Sequence, residues 1–195
     1  MITADKPTFL CGLLMSRESK FLSLVLRHKP EEIDLQLDKH GWVEVDQLLR
    51  KMKKANRRLN REELIQIVEA NEKKRFTLSE DGLRIRAAQG HSIDVDLGLQ
   101  ALRPPNELYH GTATANLDAI FADGLNSGRR QQVHLSLDQE TAERVGQRHG
   151  KPVVLRVEAE KMFKDGFEFF RADNGVWLTD EVPTRFLGFG QISGQ

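Results

Sequence analysis

The sequence predicts an α+β fold in two lobes, and three observations predict it. Apolar residues recur at helical spacing in three segments before residue 70. The period then changes to two in "KRFTLS" and "LRIRAAQG", which flank the turn "EDG". Beyond Pro104 and Pro105, short β-like pieces outnumber helices.

The first helix is "SRESKFLSLVLRH". Ser16 offers an N-cap oxygen, and Phe21, Leu22, Val25 and Leu26 share one face. Pro30 ends it by disfavouring helical geometry at Lys29. "HGWVEVDQLLRKMKK" starts with a short alternation through Trp42, Val43 and Val45, then continues as an amphipathic helix. A third helix opens at "NREELIQIVEANEK", where Asn60 and Glu63 have capping-box spacing and Leu64, Ile67 and Val68 form the apolar stripe. The hairpin comes next. Three helices, the last two leading into a hairpin, describe a winged-helix lobe, assigned to residues 16–92. Residues 1–15 are read as a loose, flexible extension.

"HSIDVDLGLQALRPPNE" connects to the second lobe, assigned to residues 93–195. Its strands are "LYHGT", "VHLS", "PVVLRVEA", "FEFFRA", "GVWLT" and "RFLGFG", in a mixed or antiparallel arrangement. Its helices are "ANLDAIFADGL", ended by Gly124, and "DQETAERVGQRHG", begun by Asp138.

Composition narrows the function classes. A chain of 195 residues, 39% hydrophobic and 30% charged, fits a soluble globular protein of two small domains. One cysteine, Cys11, excludes an intramolecular disulfide and a cysteine-rich metal module, and a reducing cytoplasm is expected. The apolar run "FLCGLLM" is far shorter than the roughly 20 residues that span a bilayer, so no membrane role is expected. The net charge of zero conceals an asymmetry: residues 1–90 carry 18 Lys or Arg against 14 Asp or Glu, and residues 91–195 carry 11 against 15. A basic first lobe suits a polyanionic partner. Nucleotide signatures of the GxxxxGK[ST] and GxGxxG kinds are absent, as are HExxH and GxSxG.

What carries chemistry is scattered. "RKMKKANRRLNR", Arg50 to Arg61, holds seven Lys or Arg in twelve residues and no acid. A solvated helix face and a phosphate-tracking surface both account for it. Arg27 and His28 either complement the dipole of the first helix or present donors to an anion. Arg75 reads as an edge-strand cation, and His110 as a core histidine in a strand, unless a shared function unites them.

These pieces, "LSLVLRHKP", "GWVEVDQLL", "KKRFTLSEDGLRIRAAQGHSI", "LYHGT", "VHLS" and "NGVWLTDEVP", in that order, resemble the NAD-dependent RNA (tRNA) 2′-phosphotransferase family from about Ser16 to Phe189. The resemblance implies a winged-helix, RNA-binding lobe joined to an ADP-ribosyltransferase-like lobe. It implies removal of an internal 2′-phosphate from RNA by transfer to NAD⁺. It places the catalytic roles on Arg27, His28, Arg75 and Arg130. Counting back from His134 selects Arg130 over Arg129, and Gln132 stands where the family usually has a histidine. The NAD⁺ contacts fall on His110, Gly111, Thr112, His134, Ser136 and Val176. NAD⁺ is a co-substrate, no metal is implied, and a cytoplasmic monomer is expected.

Val176 stands where protein ADP-ribosyltransferases place a glutamate. A phosphate monoester, with a second pKa of about 6, is already mostly dianionic at neutral pH and needs no such base. Three guanidinium forks match its acceptor oxygens bidentately. In the implied reaction the 2′-phosphate attacks C1″ of NAD⁺ and nicotinamide leaves. The ribose O2″ then attacks phosphorus, freeing 2′-hydroxyl RNA and ADP-ribose 1″,2″-cyclic phosphate. His28 is expected to be the general acid for the departing oxygen or a phosphate donor. Two other readings differ in outcome: an ADP-ribosyltransferase that stops after the first step, and a non-catalytic winged-helix binder of nucleic acid. The valine disfavours protein acceptors, and the intact four-residue set argues against a binder alone.

Overall fold

The protein is α+β in a computed structural model that describes residues 6–190, with side chains from Arg17 onward except that of His149. The chain divides into two compact units, with the boundary between Gly98 and Leu99.

In the first unit α1 spans Lys6–Arg27. It therefore begins ten residues before the predicted cap, and Ser16 lies inside the helix rather than at its start. Pro7 falls in the first turn, where its missing N–H has no intrahelical partner to lose, and few breakers lie between it and Ser16. Of the expected loose extension, residues 6–15 are helical, and residues 1–5 lie outside the described residues. The helix stops where expected. Lys29 leaves helical geometry (φ −142°, ψ 64°), and Pro30 opens a 3₁₀ turn, Pro30–Ile33.

The remaining elements of this unit are β1 (Val43–Glu44), α2 (Val45–Lys54), α3 (Arg61–Glu69), β2 (Phe76–Leu78) and β3 (Arg84–Ala87). The Trp42–Val45 alternation yields only a two-residue strand, because Val45 opens α2 and its N–H bonds the Leu83 carbonyl at 2.8 Å. The capping box forms: Asn60 Oδ1 accepts from the Glu63 N–H at 2.8 Å, and the Asn60 N–H donates to Glu63 Oε2 at 2.9 Å. The strands form an antiparallel sheet in the order β1–β3–β2, with Val43 opposite Ile85 and Phe76 opposite Ala87. Leu22, Val25 and Leu26 are fully buried against Leu48, Met52, Leu64 and Ile85.

The segment after the hairpin belongs to this unit. His91 and Val95 are buried, the Asp96 N–H bonds the Lys39 carbonyl at 2.9 Å, and Arg86 Nη1 donates to the Leu97 carbonyl at 3.1 Å. What the sequence offers as a linker is, up to Gly98, sewn to the helices and hairpin.

In the second unit β4 (Leu108–Ala113) is followed by α4 (Leu117–Asp123), β5 (Leu125–Asn126), β6 (Val133–Leu135) and α5 (Gln139–Gly146). Then come β7 (Pro152–Val157), α6 (Ala159–Lys164), β8 (Phe170–Arg171), β9 (Trp177–Thr179), β10 (Glu181–Val182) and β11 (Leu187–Phe189). Among the described residues every strand pairing is antiparallel, in sheets ordered β11–β7–β4, β6–β9–β8 and β10–β5. Gly124, at φ +82°, ends α4, and the Asp138 carboxylate caps α5 by accepting from the Thr141 N–H at 2.7 Å. The elements not anticipated, α6, β5 and β10, have six, two and two residues, too few to express a period. Leu108, Leu135, Leu155, Met162 and Phe169 are fully or almost fully buried and form the centre of the core.

Candidate active site

Three of the predicted residues of the first unit come together. Arg27 closes α1, and its Nη2 donates to the backbone carbonyl of Arg75 at 3.1 Å. That carbonyl also accepts from the Ala88 N–H at 2.9 Å, so the start of β2 is tied at once to α1 and to the end of β3. His28 follows Arg27 on the exposed side, with Nδ1 2.9 Å from Ser92 Oγ. The Ser92 N–H bonds the Arg27 carbonyl, also at 2.9 Å. Two guanidinium groups and an imidazole are therefore carried on backbone that is cross-tied within one unit. Beneath them, His91 is 2% exposed. Burial, with the positive charges of Arg27, His28 and Arg86 nearby, pulls its pKa down to about 4, so it is neutral at pH 7.

In the second unit two predicted strands meet. Tyr109 and Ser136 exchange backbone hydrogen bonds of 2.9 and 2.7 Å, an antiparallel bridge between β4 and the residue after β6. His110 Nδ1 lies 3.1 Å from the His134 carbonyl oxygen. "LYHGT" and "VHLS" thus form one locale. Gly111 has a packing reason of its own. A Cβ there would lie 1.6 Å from the Ala142 carbonyl oxygen of α5 and 3.0 Å from the Gly146 nitrogen. By strand alternation His110 and Thr112 face away from α5. Thr112 is buried, and its Oγ1 accepts from Asn116 Nδ2 at 3.1 Å.

Val176 precedes β9, its N–H bonded to Asn174 Oδ1 at 3.3 Å and its carbonyl to the Ala172 N–H at 2.9 Å. Gln132, the departure noted in the sequence, donates from Nε2 to Asp180 Oδ1 at 3.2 Å, across the end of the β6–β9 pair. Arg130 sits in the turn before β6, its N–H bonded to the Ser127 carbonyl at 3.1 Å. Partial desolvation lowers its pKa from the ordinary arginine value, which leaves the group charged at neutral pH.

The basic run is divided by use. Arg57 bonds Glu18 at 3.0 Å and lies 3.8 Å over the Phe21 ring, Arg61 bonds Asp46 and the Gly82 carbonyl, and Lys51 pairs with Asp34. Lys53, Lys54 and Arg58 are exposed. Elsewhere, a depression lined by Glu158, Lys161, Lys164, Asp165, Arg185 and Phe186 contains none of the predicted residues. Its charges are paired, Lys161 with Glu158 and Arg185 with Asp165, so it is a solvated ion network. Among the described residues no group of three or more His, Cys, Asp or Glu is placed to hold a metal, and no helix is long and apolar enough to cross a membrane.

The family model described as RNA 2′-phosphotransferase, Tpt1/KptA family, matches residues 15–181. The chain belongs to this family. A protein of Agrobacterium fabrum called a probable RNA 2′-phosphotransferase is 59% identical over 169 residues, which cover 87% of this chain and 91% of that one. A protein of Hahella chejuensis with the same description is 50% identical over 181 residues, 93% of this chain and 97% of its own. A third, from Acaryochloris marina, is 54% identical over 169 residues, 87% and 93% of the two chains. The family match takes in both clusters, from the end of α1 through β9.

Sequence reasoning did not single out Ser92, His91 or the Arg75 carbonyl. The available signal was "QGHS" immediately after the hairpin, but a bond from Ser92 to Arg27 joins residues 65 apart and leaves no periodic trace.

Proposed function

We propose that the protein removes an internal 2′-phosphate from RNA and transfers it to NAD⁺. The observation that carries this reading is the cross-tied end of α1, where Arg27 Nη2 holds the Arg75 carbonyl and His28 stands beside them, in a chain of the RNA 2′-phosphotransferase family. Arg27, Arg75 and Arg130 are the phosphate's donors, since guanidinium forks match its oxygens and lose little hydration. The first unit, three helices and a hairpin, serves as a winged-helix RNA-binding lobe, and the exposed Lys53, Lys54 and Arg58 suit a polyanion. The second unit serves as an ADP-ribosyltransferase-like lobe.

The donor set where "LYHGT" meets "VHLS" suits a dinucleotide: imidazoles at 110 and 134 and hydroxyls at 112 and 136 match a ribose and a carboxamide. NAD⁺ supplies an anomeric carbon with a good leaving group. The RNA 2′-phosphate, mostly dianionic, attacks that carbon without a base, and Val176 adds no negative charge to repel it. In the second displacement the ribose O2″ bonds to phosphorus, losing its proton, and the RNA 2′-oxygen departs, gaining one. His28 is the group proposed to supply that proton. The arginines matter most here, because charge grows on the phosphoryl oxygens as O2″ approaches.

The test is mass spectrometry of products after the protein, NAD⁺ and a short RNA with one internal 2′-phosphate are mixed. The expected result is RNA lighter by one phosphate, nicotinamide and ADP-ribose 1″,2″-cyclic phosphate, only when NAD⁺ is present. Unchanged RNA, or dephosphorylation without NAD⁺, overturns the reading.

A further inference from the structure

The segment from Gln89 to Gly98 invites a question that the reaction leaves open: why it is anchored so heavily. Val95 is 5% exposed, Asp96 bonds the Lys39 backbone, the Gly98 N–H bonds Asp96 Oδ1 at 2.8 Å, and Arg86 holds the Leu97 carbonyl. His91, almost wholly buried, leans its Nε2 toward Gly41, where even a methyl group would come within 3.5 Å of it and within 3.1 Å of Val95. An open linker needs none of this. Between these anchors stands Ser92, exposed, with its backbone N–H on the Arg27 carbonyl and its hydroxyl on His28 Nδ1. One residue thereby registers both members of the Arg27–His28 pair.

We propose that Ser92 is the positioning residue of His28, and that its hydroxyl donates to Nδ1 and so selects the imidazole tautomer protonated at Nε2. This deepens the phosphotransfer reading and rests on it for the role of His28. A hydroxyl is suited to the task because it both donates and accepts. To neutral His28 it donates, which keeps the second ring nitrogen a donor. To protonated His28 it accepts from Nδ1–H, so the ring does not turn when its charge changes. The arrangement orients a proton donor without adding a carboxylate beside a phosphate dianion.

The experiment compares wild type, Ser92→Ala and Ser92→Thr by ring-nitrogen NMR of His28 in the substrate-free protein, with the signals assigned by their loss in His28→Gln. Wild type is expected to show the Nε2–H tautomer with a hydrogen-bonded Nδ1. The alanine variant is expected to move Nδ1 to the position of a free imidazole, and the threonine variant to restore it. In turnover, losing one such bond is expected to lower kcat roughly three- to tenfold with KM unchanged, and threonine to recover it. The backbone bond from residue 92 to Arg27 survives in all three, so a merely structural role would move neither readout. An Nδ1–H tautomer in wild type, or an unmoved His28 signal in Ser92→Ala, overturns the proposal. So does an alanine variant with unchanged kcat in an enzyme that turns over. If wild type releases no dephosphorylated RNA, the phosphotransfer reading fails separately, and the ring signals still decide the role of Ser92.

Discussion

The two clusters are built by different means. At the end of α1, side chains do the joining over long sequence separations: Arg27 Nη2 to the Arg75 carbonyl, and the Ser92 hydroxyl to the His28 ring. Around β4, backbone itself does the joining, through the Tyr109–Ser136 bridge and a bare glycine pressed on α5. In the first arrangement the Arg75 residue ties through its carbonyl, so its charged group can be changed without removing that tie. The second merges site and scaffold, so that a change meant for a ligand contact is also a change in packing. Gly111 gives the sharpest way to break the distinction. A Cβ 1.6 Å from the Ala142 oxygen and 2.5 Å from its carbon meets backbone, which cannot rotate away. Gly111→Ala is expected to cost about 4 kcal/mol or more, at the upper end for overpacking, and to unfold the second unit. Urea denaturation read by near-UV circular dichroism checks it. A variant with wild-type stability would show that β4 and α5 can part without loss.

Ranking next is a stability effect confined to the first unit. His91 has a folded pKa of about 4 against an ordinary value near 6.5. The groups that face it electrostatically are Arg27, His28 and Arg86, all of which disfavour its proton. Above pH 6.5 it is neutral in both folded and unfolded chains and adds no pH dependence. Between pH 6.5 and 4 the unfolded chain takes up a proton that the folded one refuses, so stability falls as pH falls, by about 3 kcal/mol at most across the window. His91→Leu is expected to flatten that part of the curve relative to wild type, measured as urea midpoints from pH 7 to pH 4. Equal slopes in the two proteins would remove His91 from the account.

The same contrast explains what could be read in the sequence. The α+β class, the capping box at Asn60, the burial of Leu22, Val25 and Leu26, and the caps at Gly124 and Asp138 were legible, because each is written within a few residues of the chain. The start of α1 was not. A proline and a serine both carry helix-start signals, and the apolar residues between them favour continuation as much as termination. Residues 93–98 read as a linker for want of periodicity, although side chains and carbonyls far along the chain hold them in place. Of the candidate site, residue types and motif order were visible. The tie from Arg27 to the Arg75 carbonyl was not, since a backbone oxygen has no residue type to betray it. Gly111 was legible as a motif residue and illegible as a packing necessity, because the α5 carbonyl that presses on it belongs to a segment some thirty residues later.

Arg75 brings the comparison to a single side chain. Its carbonyl receives Arg27 and Ala88, while its Nη1 lies 3.5 Å from Asn71 Oδ1. Arg75→Ala keeps the carbonyl and therefore the tie, while removing the charge. If the cluster at the end of α1 is a set of donors on an independent scaffold, the unfolding free energy should fall by about 1 kcal/mol or less, far below the cost at Gly111. Turnover of 2′-phosphorylated RNA should fall about 100-fold, equivalent to about 2.7 kcal/mol, as when one preorganised donor to a developing oxyanion is lost. Added guanidinium ion is expected to recover part of the rate in the alanine variant and none in wild type. A large loss of stability with the loss of rate would instead make Arg75 resemble Gly111, a residue whose chemistry cannot be separated from its packing. Unchanged release of dephosphorylated RNA would remove Arg75 from the proposed phosphate donors.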